Sequence, residues 1–205
     1  MITYWLIYLI PFSFALSNRR YQEGAKTFLI VMFGIFLILI IGLRERVGGD
    51  WAPYLNLFQS IRNKDFIDIL FMSDPGYVFL NWVSAQLGWS IYGTNLMCAI
   101  IFTIGLLKFC RAQFFPWLAC ALAIPFITVI VGMGSTRQSV SLGLLLWGLS
   151  YLQKGKVVKY FILVCFGVLF HKSVVLMLPL IFIFKKRINA YYFLLLLIFG
   201  SYIIF

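Results

Sequence analysis

The sequence predicts an all-α fold, a polytopic integral membrane protein of about eight transmembrane helices with an interfacial helical loop on its outer face. Composition is the first reason. Of 205 residues, 63% are apolar and 11% charged, with a mean hydropathy of +0.99, which leaves too little polar surface to coat a soluble domain. The second is the recurrence of apolar runs of roughly 17 to 20 residues, long enough as helices rising about 1.5 Å per residue to approach a hydrocarbon core of about 30 Å. The third is periodicity. TFLIVMFGIFLILIIGL is apolar on every face, whereas a transmembrane barrel would alternate apolar and polar residues every two positions.

The first run, ITYWLIYLIPFSFAL, has no basic residue ahead of it and no small-residue cleavage site behind it, so it reads as helix one and not as a secretory signal. Further runs follow at 27–43, 91–107, 114–132, 137–153, 155–170, 173–184 and 190–205. The whole chain, 1–205, is expected to form a single transmembrane domain, interrupted by an extracytoplasmic segment at 44–90.

Basic residues set the orientation, because connections kept in the cytoplasm carry the excess of Lys and Arg. Arg19, Arg20 and Lys26 follow helix one; Lys108 and Arg111 follow helix three; Lys154, Lys156 and Lys159 follow helix five; Lys185, Lys186 and Arg187 follow helix seven. They alternate as a multi-pass chain with its amino terminus outside requires, and the inner face holds most of the +11 net charge. Scattered over short connections, these cations do not form the stripe interleaved with aromatics that nucleic acid would select. Membrane lipid, whose anionic headgroups face that side, is the expected partner.

The remaining polar residues fall on the other face. There the 44–74 loop, the turn at Thr136, Arg137 and Gln138, and the turn at His171 and Lys172 bring together the sole histidine, an arginine pair, Arg137, and the acids Glu45, Asp50, Asp65, Asp68 and Asp74. The loop is about thirty residues, a length associated with function or disorder. Its Trp51, Tyr54, Leu55, Phe58 and Ile61, and then Phe66, Ile67, Ile69 and Leu70, recur near helical spacing and predict short interfacial helices. DPGYVFLNWVSAQLG predicts another, with Asp74 as N-cap and Pro75 in the first turn.

Within IGLRERVGGDWAPYLNLF, Arg44, Arg46, Gly48, Gly49 and Asp50 stand where an apolar run meets that loop, and charge at a membrane boundary is a functional candidate by default. Two glycines free to adopt positive φ would turn the backbone tightly and offer its N–H groups to an anion, with Asp50 projecting from the bend. The plainer alternative is that the arginines anchor a helix end in headgroups and that Gly-Gly-Asp is an ordinary turn. Arg137 follows Gly-x-Gly at a helix start, where free N–H groups and the dipole favour anions but not a cation. Its guanidinium fork suits phosphate oxygens; the alternative is a helix capped by Ser135 or Thr136 with Arg137 snorkelling to the interface. His171 interrupts a stretch too long for one crossing and flanked by basic clusters, so two helices are expected to meet at His171, Lys172 and Ser173. An imidazole there suits proton acceptance or, charged, phosphate binding; it is equally suited to a wet hairpin turn.

A single histidine and no paired cysteine motif argue against a metal site, and Cys98, Cys110, Cys120 and Cys165 lie in or beside apolar runs as packing residues. No P-loop or dinucleotide fingerprint is present, so no cofactor is expected.

An R-x-R-x-G-G-D-x-x-x-Y element after helix two (Arg44 to Tyr54), a D-P-G-Y element, a T-R-Q-S element opening a later helix and an H-K-S turn stand in that order along residues 40–175. In these the chain resembles the EpsG family of bacterial exopolysaccharide polymerases, relatives of the Wzy-type O-antigen polymerases. The resemblance implies a GT-C-like, metal-independent membrane glycosyltransferase in the bacterial cytoplasmic membrane. Such an enzyme joins polyprenyl-diphosphate-linked oligosaccharides on the outer side, with flippase and chain-length-regulator proteins as further partners. By matching positions it implies that Arg44, Arg46 and Arg137 hold the substrate diphosphate and that Asp50 or His171 accepts the acceptor's proton. Gly48, Gly49, Tyr54, Gln138 and Lys172 support them. Members of the family are longer, and a chain ending at FGSYIIF inside an expected span is expected to be a fragment or a truncated product.

Three other readings share some of these features. A flippase or transporter of lipid-linked sugars would show internal repeats and broken helices near the midplane, and no repeat is evident. A non-catalytic membrane subunit would need no convergent acid, base and cation. A lipid-linked glycan ligase has the same requirements as a polymerase.

Overall fold

The computed structural model describes residues 2–17, 22–62, 64, 66–70 and 72–184, and among these every regular element is helical. Expectations resting on Arg19, Arg20, Asp65, the Lys185–Arg187 cluster and the 190–205 run lie outside the described residues.

Helix α1 spans Ile2–Leu16 and α2 spans Glu23–Gly42. Three short helices follow, α3 at Trp51–Ile61, α4 at Phe66–Leu70 and α5 at Pro75–Gln86. Then α6 runs over Ile91–Arg111, and α7, Pro116–Ala123, continues as a π-helix over Ile124–Gly132. The chain ends its described course with α8 at Thr136–Leu152, α9 at Val157–Val168, a 3-10 helix at Lys172–Met177 and α10 at Leu180–Phe184.

By length and composition α2 and α6 are each able to cross a bilayer; at 20 and 21 residues they reach about 30 Å. The other apolar helical stretches, Thr3–Leu16, Pro116–Gly132, Val157–Val168 and the broken Lys172–Phe182, are shorter. Two expectations change. The 173–184 run is not one helix, because Leu178 and Pro179 divide the 3-10 segment from α10, and a proline has no N–H to continue the preceding helical hydrogen bonds. The 114–132 run becomes helical only at Pro116, and Pro125 lies in the first turn of its π-helical half. A proline there removes one α-type hydrogen bond, and the i to i+5 pattern accommodates that loss.

Small residues set the packing. A Cβ placed on Gly105 would fall 1.9 Å from the Gly143 carbonyl oxygen, and one on Gly143 2.6 Å from Phe102 Cα, so α6 and α8 cross backbone to backbone. Gly34 faces Thr103 and Leu107 while Gly42 faces Leu96, so α2 runs antiparallel to α6. Lys108 stands over Trp147 beyond the Gly105–Gly143 crossing, so α6 and α8 run the same way. Gly148 against Tyr160 and Gly167 against Ser141 make α9 antiparallel to α8. Phe14 of α1 stacks on Trp117 of α7 at 4.6 Å.

The surface is inverted relative to a soluble protein. Trp5, Phe28, Leu122, Phe126, Val158 and Phe166 project outward, while Asn81, Thr94, Asn95, Thr103, Thr128, Ser139 and Ser141 are buried. An apolar exterior over a core containing polar side chains is how helices pack when lipid is the solvent. The bundle has two chemically distinct ends. One carries Lys26, Lys108, Arg111, Lys154 and Lys159; the other carries the 43–50 loop, α3, α5, the Gly132–Thr136 junction and the turn at His171.

Candidate functional site

The second end is organised by Arg44. Its side chain folds inward until it is 6% exposed. Nη1 donates to the Ile41 carbonyl at 3.0 Å and to the Gly132 carbonyl at 3.2 Å, and Nη2 donates to Thr136 Oγ1 at 2.6 Å. The cation therefore sits on the carbonyl end of α2, where the helix dipole favours it, and ties that end to the start of α8. Burial pulls the guanidinium below its ordinary value, yet an arginine so placed remains charged. Both Nη atoms are thus committed to protein oxygens.

The loop after it turns through two residues with positive φ, Arg46 at 51° and Gly48 at 90°. Gly48 is where only glycine fits, since a Cβ would lie 2.8 Å from both the Cα and the carbonyl oxygen of Gly134. Gly49 does not share this property, contrary to expectation; it has no positive φ and open space around its Cα. Held against Gly134, the loop delivers Asp50 to the N-cap position of α3. Asp50 Oδ2 accepts from Ser135 Oγ at 3.1 Å and from Tyr54 Oη at 3.4 Å.

Arg137 stands in the first turn of α8, and its Nη1 donates to Asp74 Oδ2 at 2.6 Å. Its guanidinium carbon lies 5.3 Å from the Tyr54 ring centroid and 5.8 Å from that of Tyr77, cation–π distances for both. Asp74 adopts the left-handed region at φ 54° and makes no side-chain cap to α5, so the expected N-cap gives its carboxylate to Arg137 instead. The same end of α5 is fastened to the α9 turn. Gly76 N donates to the Leu169 carbonyl at 2.9 Å, and Phe170 packs where a Gly76 Cβ would stand. Burial pushes the phenols of Tyr54 and Tyr77 up, with the Arg137 charge acting in the opposite sense, so both are neutral at ordinary pH.

Asp50, Tyr54, Asp74 and Arg137 thus form one cluster above Arg44. His171 reaches this end of the bundle, but its contacts run through the backbone; its N–H donates to the Gly167 carbonyl, and its carbonyl accepts from Ser141 Oγ at 3.5 Å. Gln138 and Lys172 are exposed on neighbouring turns. Arg46 is solvent-facing, 3.8 Å from Glu45, and lines an adjoining cleft of about 330 Å³ with Trp51, Phe58, Gln59, Arg62 and Tyr92. Asp74, Ser135 and Arg62 are the residues that sequence reasoning did not place in the site. The available signal was Asp74 beside Pro75, an acid on the same face as an arginine that no neighbour in sequence neutralises.

These features define a helical membrane protein with a polar, arginine-centred site at one end of its bundle. The chain belongs to the EpsG family, whose model matches residues 27–205 and so takes in every residue of the cluster. No curated protein and no solved structure matches it. Membership makes it a membrane protein of exopolysaccharide biosynthesis.

Proposed function

We propose that this protein is a multi-pass enzyme of about eight spans, N-terminus outside, that polymerises polyprenyl-diphosphate-linked oligosaccharide units at the outer side of the membrane. One observation carries the proposal: Arg137, on the positive end of a helix, is held at 2.6 Å by Asp74 and stacked over Tyr54, beside the carboxylate of Asp50. A guanidinium so fixed is preorganised for charge that grows on a leaving phosphate oxygen.

The acceptor hydroxyl oxygen forms a bond to the anomeric carbon of the donor as the bond from that carbon to the diphosphate oxygen breaks. The electron pair leaves with the lipid diphosphate, and the hydroxyl proton passes to the Asp50 carboxylate. Arg137 uses its remaining N–H groups, with the free N–H groups of the α8 first turn, on the departing diphosphate. Arg46 and Arg62 in the adjoining cleft extend the cationic surface, while Trp51 and Phe58 offer apolar area to sugar faces or lipid. His171 and Lys172 border the site from the α9 turn.

The test is turnover by the purified protein in lipid nanodiscs given a polyprenyl-diphosphate oligosaccharide. A ladder of lengthened products supports polymerisation. Transfer to a different acceptor without a ladder identifies a ligase, and binding with no product identifies a non-catalytic subunit.

A further inference from the structure

At the opposite end of the bundle from the cluster lies a second cleft, of about 370 Å³, lined by Lys108, Arg111, Trp147, Ser150, Tyr151 and Lys154. None of its lining residues is acidic. The nearest acid on that end, Glu23, is already paired with Lys26 at 2.7 Å. Lys108 and Arg111 come from α6 and Lys154 from the turn that follows α8, and these two helices cross through glycine. Lys108 Nζ stands 3.9 Å from the Trp147 ring centroid, and Lys159 Nζ stands 5.2 Å from that of Tyr151, which builds an aromatic wall already facing positive charge. Arg111 is braced by a 3.3 Å hydrogen bond from its Nη2 to Thr27 Oγ1, which orients its fork.

We propose that this cleft is a phosphate-binding site, independent of the candidate glycosyl-transfer site, and that a membrane phospholipid headgroup occupies it. Three exposed cations around an open cleft with no acid in its lining form a receptor for an anionic phosphate ester, whereas positive charge needed only for orientation requires no cleft. The lipid source is favoured by what adjoins the cleft. Phe114 is fully exposed and Phe115 is 71% exposed, three and four positions after Arg111, where an acyl chain would meet them. The headgroup would brace the inner ends of α6 and α8, the helices that carry Arg137 and its backing on the other side.

The experiment is native mass spectrometry of the intact protein extracted from vesicles of phosphatidylglycerol and phosphatidylcholine in equal amounts, with and without inorganic phosphate. Retention of phosphatidylglycerol by the wild type, weakened about tenfold or more in Lys108→Gln/Arg111→Gln/Lys154→Gln but not in Lys64→Gln, supports the proposal. Where the triple variant does not fold, the wild type alone decides, through selective retention of phosphatidylglycerol over phosphatidylcholine. Displacement of the bound species by inorganic phosphate keeps the phosphate site but assigns it to a soluble ligand and overturns the lipid source. Equal retention of both lipids with no phosphate binding, or equal retention by wild type and triple variant, overturns the site.

Discussion

Arg137 and Asp74, 63 positions apart in the chain, form a 2.6 Å ion pair that joins the first turn of α8 to the first turn of α5. The pair orients a guanidinium without exhausting it, because one Nη is used and the other donors are left over. Arg137→Gln is expected to lower the rate of product-ladder formation by about 10²- to 10³-fold, the loss typical of a transition-state charge donor. Arg137→Lys keeps the charge but not the fork and should restore a minority of the rate, measured by initial rates in nanodiscs.

Asp50 is expected to matter more than His171 for proton transfer, since its carboxylate is inside the cluster and His171 contributes backbone bonds. Asp50→Asn should cost about 10²- to 10⁴-fold in turnover with substrate binding retained. His171→Gln should cost less than about tenfold; the reverse order would transfer the role of base to the imidazole.

Arg44 and Arg46 are two residues apart and should behave oppositely. Arg44→Met strands the buried Gly132 carbonyl and Thr136 hydroxyl, at a cost on the order of 2 kcal/mol, seen as a lower Tm in detergent. Arg46→Met removes an exposed, weakly paired side chain and should leave Tm unchanged.

Adjacent glycines give an equally sharp contrast. Gly48→Ala must fit a Cβ 2.8 Å from Gly134 at φ 90°, and should cost about 1–3 kcal/mol and displace Asp50 from Ser135. Gly49→Ala meets open space and should be neutral in both Tm and turnover.

Alkaline pH should destabilise the protein through its buried phenols. Burial pushes Tyr54 and Tyr77 above their ordinary value of 10.0, so the folded state keeps protons that the unfolded state releases. Stability from this source is complete below pH 10 and falls as pH rises above it, by about 1.4 kcal/mol per pH unit for each phenol held neutral. Tyr77→Phe should flatten the decline of Tm between about pH 10 and 12. An unchanged slope would mean that Tyr77 is not buried as described.

Much of this organisation is legible in the linear chain. Helix ends near Leu16, Gly42 and Leu152 follow, within a residue, from apolar runs, and the placing of Asp50 and Arg137 at one end of the bundle follows from asking where residues go that lipid rejects. What is hidden is partner choice. A helix-end arginine looks the same whether it reaches headgroups or, as Arg44 does, a threonine 92 positions away. Asp74 reads locally as a cap because Pro75 follows it, and only the crossing of α6 and α8 through Gly105 and Gly143 settles which helix start it meets. Left-handed φ at Arg46 in place of Gly49 is set by docking against Gly134, a constraint with no local signature.

The most direct measurement is membrane-impermeant thiol labelling in sealed cells of proteins given one accessible cysteine, with Cys165 replaced by serine because it is exposed and the other three cysteines are buried. Gln138→Cys and Lys172→Cys should label from outside, and Lys154→Cys only after the membrane is opened. Labelling of Lys154→Cys from outside, or of all three from one side, would contradict a site that faces away from the cytosol.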